Sequence, residues 1–507
     1  MSEQRTSRRD FLRWLSISGA GLAAAGVLPG AFAHAAEPDV TVITHATLID
    51  GTGARPLRDA TVVLIGDRIV WAGAHHAARV PEGARIVDAR GKYVIPGLWD
   101  MHTHGTVYED IFVPLYLVNG VTGVREMWGY PEVQAVRERI DRGELLGPRI
   151  VMASSIIDGP ITLLGPPVVK VGTEAEAREA VRAAKAAKAD FVKVYSYLGA
   201  NEVRAIADET RRQGMPFAGH VAYRLSTAEA SDLGQRSFEH FFDVPISLSA
   251  REAEFRRILA GTPYDPANPR AFFNLSRELD RQATFSFSPA KVEAFVARQN
   301  RNSSWQSPTL AVNRVMSSPA DTYAHDPRLR YMPAWIHDFW REGVKGVAPV
   351  TPEQIAQQRE FLAARLRMLG ALHHAGIGVI GGTDCLNPYV FPGFSSHDEL
   401  ELLVEAGLSP LQAIQTMTRD AARYLGFERT MGTVTAGKVA DLVLLDANPL
   451  ADIRNTQKIH AVVTKGRLIT AEQRLRMLAD VEAAANKPPA PSALTHLTTL
   501  PTCCNGA

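Results

Sequence analysis

The sequence predicts an α/β protein: a (β/α)8 TIM barrel with a small composite β-sandwich domain that takes strands from both chain ends. Short apolar runs rich in Val, Ile and Phe alternate with stretches rich in Ala, Glu and Arg, whose composition is typical of helices. Strands that alternate with helices in this way indicate a parallel sheet built from βαβ units. In a closed barrel of this kind, side chains at the carboxyl ends of different strands converge on one cavity. The helical stretches are 173–188, 201–213 and 354–374.

The β-like segments lie before and after the predicted barrel. Short segments with Gly and Asp turns occupy 36–96, and similar segments return over 431–475, so we expect them to pair into one small domain. The barrel then occupies 97–430. Within it, insertions over about 245–350 surround a predicted seventh strand at 304–310. Long insertions at a barrel mouth usually cover or shape a pocket.

The most informative segment runs from Val94 to His104, where an apolar run breaks at Pro96-Gly97 and then presents two histidines. His102 and His104 stand at i and i+2, so in a strand both imidazoles point to the same side. The Pro-Gly pair fits the mouth of a strand better than a helix. Two neutral imidazoles that converge on one point are half of a transition-metal site. The chain contains 15 histidines, so a pair at this spacing could occur by chance. The pair becomes strong evidence for a metal site because further candidate ligands follow it in the sequence.

Four later strand-like runs each contain or end in a further residue able to bind a metal. Taken singly, a lysine in such a run usually extends to the surface, and a histidine is usually a hydrogen-bonded core residue. Six strand-end residues in one order are hard to assemble by accident, so together they predict a single site. The four are Lys193 in the run 190–195, His220 at the end of 216–220, His240 at the end of 236–240 and Asp384 at the end of 377–384.

Other segments of the sequence, besides the candidate ligands, are also characteristic of a known family. The stretch from Pro96 to His104 is the most specific, and Val121–Glu126 looks like a second barrel strand with Glu126 where an aspartate is more usual. With them, the chain resembles the metal-dependent amidohydrolase superfamily, nearest to its imidazolonepropionase-like and Xaa-Pro dipeptidase-like members, over about residues 40–470. The resemblance implies the same barrel and flanking β-domain. The other family-like segments carry no metal role: 48–53, 66–73, 399–410 and 436–443.

The resemblance implies a binuclear metal centre with zinc as the favoured metal and manganese, iron or cobalt as alternatives. Asp384 would also be the catalytic base that takes a proton from the attacking water and passes it to the leaving nitrogen. Lys193 would bridge two divalent ions as a carbamate, because an ammonium has no lone pair. Residue pattern alone shows only a lysine in a strand, so a one-metal centre with a structural Lys193 stays open. The first ion would be bound by His102, His104 and Asp384, and the second by His220 and His240.

Two tyrosines are candidate catalytic residues because they follow the ligands closely. Tyr195 comes two residues after Lys193, and Tyr223 comes three residues after His220. Either could donate to a tetrahedral oxyanion or bind a substrate carboxylate, and aromatic packing beneath the insertions is the alternative. Arg224 and Arg314 are weaker candidates for binding a carboxylate.

These observations favour a hydrolase that cleaves an amide-type C–N bond of a small molecule. An N-acyl amino acid, a dipeptide with a proline-like leaving group and a cyclic amide all fit. The alternatives are a mononuclear deaminase and a phosphotriester or lactone hydrolase on the same barrel, since a metal-activated hydroxide attacks those centres too. An exported binding protein without catalytic activity is a third interpretation, which the retention of all six ligand types disfavours.

The composition and the two ends of the chain limit which partners and which location we expect for this protein. The chain has 507 residues and a formal net charge of +1, without a sustained basic stripe, so we expect no nucleic-acid partner. The first 35 residues join Arg8-Arg9 to an apolar run and resemble a twin-arginine export signal, which predicts a periplasmic or secreted enzyme with no stable membrane association after cleavage. Three cysteines provide no disulfide framework. We expect residues 486–507 to be disordered, and a homo-oligomer is compatible with the sequence.

Overall fold

A computed structural model describes residues 40–487 and a two-residue strand, Arg5–Thr6, that pairs in parallel with Val80–Pro81. The export signal predicted over 1–35, apart from that strand, and the tail predicted beyond 487 lie outside the described residues. The chain divides into two compact units. The β unit contains the residues up to Leu98 together with Leu117–Thr122 and Pro410–Arg476, and the α/β unit contains the rest. The helices of 410–430, expected within the barrel, therefore cluster with the β unit.

The β unit is organised by one eight-stranded sheet whose strands come from sequence segments more than 300 residues apart. Leu442–Leu445 pairs antiparallel with Tyr93–Pro96, which in turn pairs in parallel with Val40–Leu48. Alternating Val, Ile and Leu side chains of these strands are buried together, and this burial brings the two segments into one sheet. In spatial order the strands are Arg467–Ile469, Ile459–Thr464, Leu442–Leu445, Tyr93–Pro96, Val40–Leu48, Leu57–Ile65 and Arg68–Ala74, with Arg85–Asp88 also beside Val40–Leu48.

The α/β unit contains two runs of parallel strands. Four of the strands, Leu98–Thr103, Val121–Glu126, Val192–Val194 and Gln235–Glu239, are almost entirely buried, as expected for a sheet covered on both faces. The first run has the order Arg149–Met152, Val121–Glu126, Leu98–Thr103. The second has the order Val168–Lys170, Ile156–Asp158, Val192–Val194, Phe217–Gly219, Gln235–Glu239, Trp305–Ser307.

Further backbone hydrogen bonds join these runs to each other and to residues 377–385, which form no regular strand. Asp190 N donates to Met152 O at 2.8 Å. This hydrogen bond connects the strand Arg149–Met152 to the segment that leads into Val192–Val194. Ile380 N donates to Gln306 O at 2.9 Å. On the other side of the same segment, Asp384 N donates to His102 O at 2.8 Å. Residues 377–385 are therefore held between Trp305–Ser307 and Leu98–Thr103.

The helices between these strands confirm the predicted alternation. Glu174–Ala186 begins at a capping box of Thr173 and Glu176, and its buried Ala and Val residues recur at helical spacing. Ala200–Gln213 ends at Gly214, whose φ of 63° gives the left-handed cap that glycine favours. Outside 245–350, the other helices of at least six residues in the described chain are Phe112–Val118, Pro131–Asp141, Thr227–Asp232, Pro352–His374, Phe394–Glu405, Pro410–Thr416, Arg419–Leu425 and Ala471–Ala485. None of the described helices has the length and apolar character needed to cross a membrane.

The region predicted as broken insertions, 245–350, is largely helical. Pro269–Phe285 buries Phe272, Ser276 and Leu279 along one side. The sequence pattern did not reveal this helical spacing of buried residues, because Arg and Phe residues flank them on both sides. The predicted seventh strand is confirmed at Trp305–Ser307. The helices of this region are Val244–Leu248, Glu252–Gly261, Pro269–Phe285, Val292–Arg301, Leu310–Met316 and Ala334–Lys345.

We predict that Gly382→Ala destabilises the protein by about 1–3 kcal/mol. A Cβ at Gly382 would lie 2.6 Å from the backbone N of His102 and 2.9 Å from the carbonyl carbon of Met101, so one backbone would have to move. Thermal unfolding measures the loss. Gly346→Ala is the matched control, because a Cβ there meets no atom within 4 Å. Equal unfolding temperatures for the two variants would contradict this account of the close approach.

Candidate metal centre

The structure brings His102, His104 and Asp384 together. One ligand atom from each of the three lies within 4.8 Å of the others, and all three side chains are buried. Oδ1 of Asp384 is 3.3 Å from Nε2 of His102 and 3.3 Å from Nε2 of His104. Two imidazoles and one carboxylate that share a point in this way fit a divalent metal ion.

His240 and His220 extend this cluster on one side. The His240 ring centroid is 4.5 Å from that of His102 and 4.9 Å from that of His220. Nδ1 of His240 also approaches Oδ2 of Asp384 at 3.5 Å. A chain of neighbouring imidazoles thus runs from His104 through His102 and His240 to His220, as convergence of strand ends predicted.

Lys193 is fully buried in the strand Val192–Val194. Its charge lowers the pKa values of His102, His220 and His240, so the lysine side chain lies within electrostatic reach of all three imidazoles. The structure therefore places all six predicted ligands in one region of the α/β unit.

Three of the histidines have the same hydrogen-bonding arrangement, which is the one expected of metal ligands. Nδ1 of each ring bonds to a neighbouring oxygen: His102 to Glu239 at 2.8 Å, His220 to Ser196 at 2.8 Å and His240 to Thr309 at 2.9 Å. Nε2 of each of these rings is buried and makes no hydrogen bond within the described part of the chain. A ring held through Nδ1, with a buried Nε2 that makes no hydrogen bond, has the outer-partner geometry that orients a histidine on a metal.

Burial keeps these imidazoles uncharged. It is the main reason that the pKa of His102 falls to about 4, and it holds the pKa values of His220 and His240 well below the ordinary value. Burial alone would raise the pKa of Asp384, but the nearby imidazoles of His240 and His102 outweigh it and hold that pKa below its usual range. Neutral imidazoles beside an ionised carboxylate are the protonation states that metal binding requires.

A buried ion pair holds the outer side of His102. The Nη2 atom of Arg125 donates to both carboxylate oxygens of Glu239 at 3.0 and 2.9 Å, and its Nη1 donates to Ser237 Oγ at 2.8 Å. Arg125 Nε also donates to Met101 O at 2.5 Å. Burial would raise the pKa of Glu239, but Arg125 and His102 outweigh it, so the pKa lies below its usual range and the carboxylate stays ionised.

The sequence prediction missed Glu239, Arg125 and the hydroxyl partners. The missed signal was the presence of charged residues, Arg125 and Glu126 in one case and Arg236 and Glu239 in the other, within two strands that are buried almost throughout. In Gln235–Glu239, alternation puts Ser237 and Glu239 on one side, and both bond to Arg125. His240 would then be expected on the opposite side.

Backbone conformation explains why His240 nevertheless joins the site. His240 has φ 62°, Asp384 has φ 62° and Thr309 has φ 47°, all in the left-handed region that side-chain-bearing residues seldom adopt. Each such residue costs on the order of 1–3 kcal/mol, and such residues concentrate at functional sites. The strand alternation ends at these residues, and their side chains turn into the cluster.

The two candidate tyrosines have different neighbours. The Tyr195 ring stacks on the His220 ring with centroids 4.0 Å apart. Tyr223 packs against Tyr197 and Phe272, and burial raises its pKa to about 12. The hydroxyls of Ser196 and Ser276 and the charge of Arg277 act in the opposite direction. Tyr223 therefore remains a protonated donor at neutral pH.

The weaker carboxylate-binding candidates are already engaged in structural contacts. Arg224 donates to the carbonyls of Leu259 and Thr262, at the end of the helix Glu252–Gly261. Arg314 pairs with Asp398 at 3.1 Å. These contacts give both arginines a structural task, and their role in binding a carboxylate stays a prediction.

Comparison with known proteins agrees with this geometry. Residues 341–469 match the model of the amidohydrolase family. The chain is similar to ochratoxinase from Aspergillus niger, with 23% identity over 500 residues that cover 86% of this chain and 87% of the relative. It is also similar to imidazolonepropionase from Caulobacter vibrioides, with 24% identity over 447 residues that cover 83% and 97% of the two chains.

Two solved structures show the fold. A bottromycin amidohydrolase matches with a TM-score of 0.70 and 21% identity over 89% of this chain and 91% of the other. A Xaa-Pro dipeptidase with bound methionine matches with a TM-score of 0.60 and 19% identity over 85% and 100%. The α/β unit is thus of the TIM-barrel type. The family match over residues 341–469 and the sequence relatives support an enzyme of the amidohydrolase superfamily that acts on carbon–nitrogen bonds.

Proposed function

We propose that the enzyme uses divalent metal to cleave an amide-type C–N bond of a small molecule, such as an N-acyl amino acid, a Xaa-Pro-like dipeptide or a cyclic amide. The observation that carries this proposal is the buried group of His102, His104 and Asp384, whose ligand atoms lie within 4.8 Å of one another, with the His240 and His220 rings beside it. Two of the similar solved structures, the bottromycin amidohydrolase and the Xaa-Pro dipeptidase, are named for amide cleavage and support the substrate class.

The six clustered side chains suit two ions. Imidazole and carboxylate ligands favour zinc, with manganese, iron or cobalt also compatible. Lys193, fully buried in the strand that pairs with Phe217–Gly219, would bridge as a carbamate formed with carbon dioxide. Bound divalent metal would acidify a water molecule and polarise the scissile carbonyl. His102, His104 and Asp384 would hold one ion, and His220 and His240 the other.

The chain's own residues then handle the proton and the substrate oxygen. Asp384 is ionised and would accept the proton of the attacking water, then deliver it to the departing nitrogen. Tyr223, protonated at neutral pH, would donate a hydrogen bond to the substrate oxygen as negative charge develops there. Tyr195 would support His220 through ring stacking, and its hydroxyl is the second candidate donor.

The same proposal includes closure of the sheet into an eight-stranded barrel. Hydrogen bonds of residues 377–385 with Gln306 on one side and with His102 on the other support it. Closure would place Asp384 between the first and seventh strands.

A one-metal enzyme is the second candidate. It is favoured by the fact that, in the described chain, only His102, His104 and Asp384 form a group close enough to share one ion as the side chains stand. Lys193 would then be structural, and a deaminase or a phosphotriester or lactone hydrolase would be compatible.

The first prediction is that elemental analysis of metal-reconstituted protein finds about two ions per chain, and that Lys193→Ala retains about one. The variant removes the only proposed bridge. Lys188→Ala, which changes an exposed lysine close in sequence, should keep the full content. If the Lys193 variant keeps both ions, the bridging role is wrong. One ion in the wild type favours the mononuclear enzyme, and none after reconstitution rejects the metal centre.

The second prediction is that Asp384→Asn lowers kcat on amide substrates by about 10²–10⁴-fold, because the amide side chain cannot accept a proton. The measurement is steady-state hydrolysis across a panel of N-acyl amino acids and dipeptides. Asp338→Asn, which changes an exposed carboxylate, is the control. Unchanged turnover by the Asp384 variant would exclude this residue as the base.

The third prediction concerns the outer partner of His102. Glu239→Gln should weaken metal affinity by about 10–100-fold, because the neutral amide no longer orients the imidazole or balances Arg125. Competition with a fluorescent chelator measures the affinity without reference to activity. Glu278→Gln, on a surface ion pair, should bind as the wild type does. Wild-type affinity in the Glu239 variant would show that the ion pair only supports the fold.

A further inference from the structure

A cavity of about 420 Å³ lies beside His240 in the α/β unit. Its size is that of a pocket for a small molecule rather than a single water or ion. Helices of the region 245–350 supply much of its wall, above all Pro269–Phe285. A substrate held at the proposed metal centre would therefore extend one end into this cavity.

Arg277 joins the cavity to the imidazole cluster. Its guanidinium carbon lies 3.6 Å from the centroid of the Phe242 ring, and that ring is 5.0 Å from both His220 and His240. The Arg277 charge also lowers the pKa values of His220 and Tyr223. The cation is thus close enough to the cluster to hold the far end of a small substrate.

The hydrogen-bonding capacity of Arg277 is only partly used. Its Nη2 donates to Asp280 at 2.5 Å, while its Nε is buried and makes no hydrogen bond among the described residues. An arginine presents five N–H donors in a fixed fork, so donors remain for a further acceptor.

The charges around Asp280 are shared between neighbours. Arg277 and Arg365 both act on the one Asp280 carboxylate. Next to them Arg256 pairs with Asp243 and approaches Glu252 at 3.5 Å. Arg281, also on the cavity wall, pairs with Glu278 at 2.7 Å. Because Arg277 shares Asp280 with Arg365, its charge is only partly compensated, and an anionic ligand would complete the compensation.

Much of the remaining wall is apolar, and the polar side chains of Asn274, Asn313, Ser317 and Gln358 complete it. Phe242, Phe273 and Phe361 line it together with Val312 and Met316. Aromatic and aliphatic walls around a few polar groups bind a hydrophobic body and use the polar groups to orient it.

We propose that this cavity is a substrate subsite in which Arg277 binds a carboxylate carried next to an aryl or bulky alkyl group. The inference rests on the proposed function, since it takes the proposed metal centre as the reacting end of the substrate. Of the substrates named above, it selects N-acyl amino acids and dipeptides with a large apolar side chain over cyclic amides without a carboxylate.

Calorimetric binding to the metal-loaded enzyme tests the subsite without requiring hydrolysis. The probes are 3-phenylpropanoate and the uncharged 3-phenylpropan-1-ol, which share a ring and chain and contain no C–N bond. We expect the carboxylate to bind about 10–100-fold more tightly than the alcohol, as for a charge-assisted hydrogen bond. Arg277→Met should abolish the difference, and Arg277→Lys should retain part of it. Arg257→Met, on the exposed side of the helix Glu252–Gly261, should keep the wild-type preference.

Equal binding of the two probes to the wild type would overturn the subsite, even if amide cleavage is found. A preference that persists in Arg277→Met would also overturn it, because the carboxylate would then bind elsewhere, for example at the metal. Conversely, an Arg277-dependent preference in an enzyme that cleaves no amide would leave the subsite standing and reject the proposed function. The same variants assayed on an N-acyl amino acid and its carboxamide should repeat the pattern in kcat/KM.

Discussion

The buried ion pair between Arg125 and Glu239 is the interaction on which the site depends. It joins Val121–Glu126 to Gln235–Glu239, reaches the backbone of Met101, and fixes Nδ1 of His102. Two charges without solvent would be costly if either stood alone, since the loss of one partner leaves the other unpaired in a medium of low polarity. Each additional bond to Ser237 and His102 reduces that cost. The pair therefore sets the relative positions of strands that are far apart in sequence, and with them the orientation of one proposed ligand.

Close backbone packing imposes a second constraint at the same place. A Cβ at Gly219 would lie 2.1 Å from Val194 O, and one at Gly382 would lie 2.6 Å from His102 N. Glycine thus lets neighbouring segments approach immediately before His220 and close to Asp384. The left-handed conformations of His240 and Asp384 then turn these side chains into the cluster at an energetic cost that the packing around them must offset.

Two parts of the α/β unit have different tasks in this arrangement. Strand ends supply the residues that suit a metal and a proton acceptor, a set that serves hydrolysis of many carbonyl or phosphoryl centres. Helices of the region 245–350 supply the cavity wall beside His240, where Arg277 and the phenylalanine rings would decide which molecule is held. A superfold that supports many chemistries diversifies in this way, because changes in such segments leave the strand ends in place.

The sequence by itself determined the strand-and-helix alternation, the seventh strand and the six candidate ligands, because hydrophobic periodicity and strand-end residues are local signals. Runs such as 190–195 and 216–220 contain the strands Val192–Val194 and Phe217–Gly219 found in the structure. Only the tertiary structure decided that Glu239 pairs with Arg125 and that Arg277 lies by Phe242. It also reassigned Arg224 and Arg314 to structural contacts. These partners are distant in sequence, and which charges meet depends on how segments pack, a physical outcome that no local pattern records.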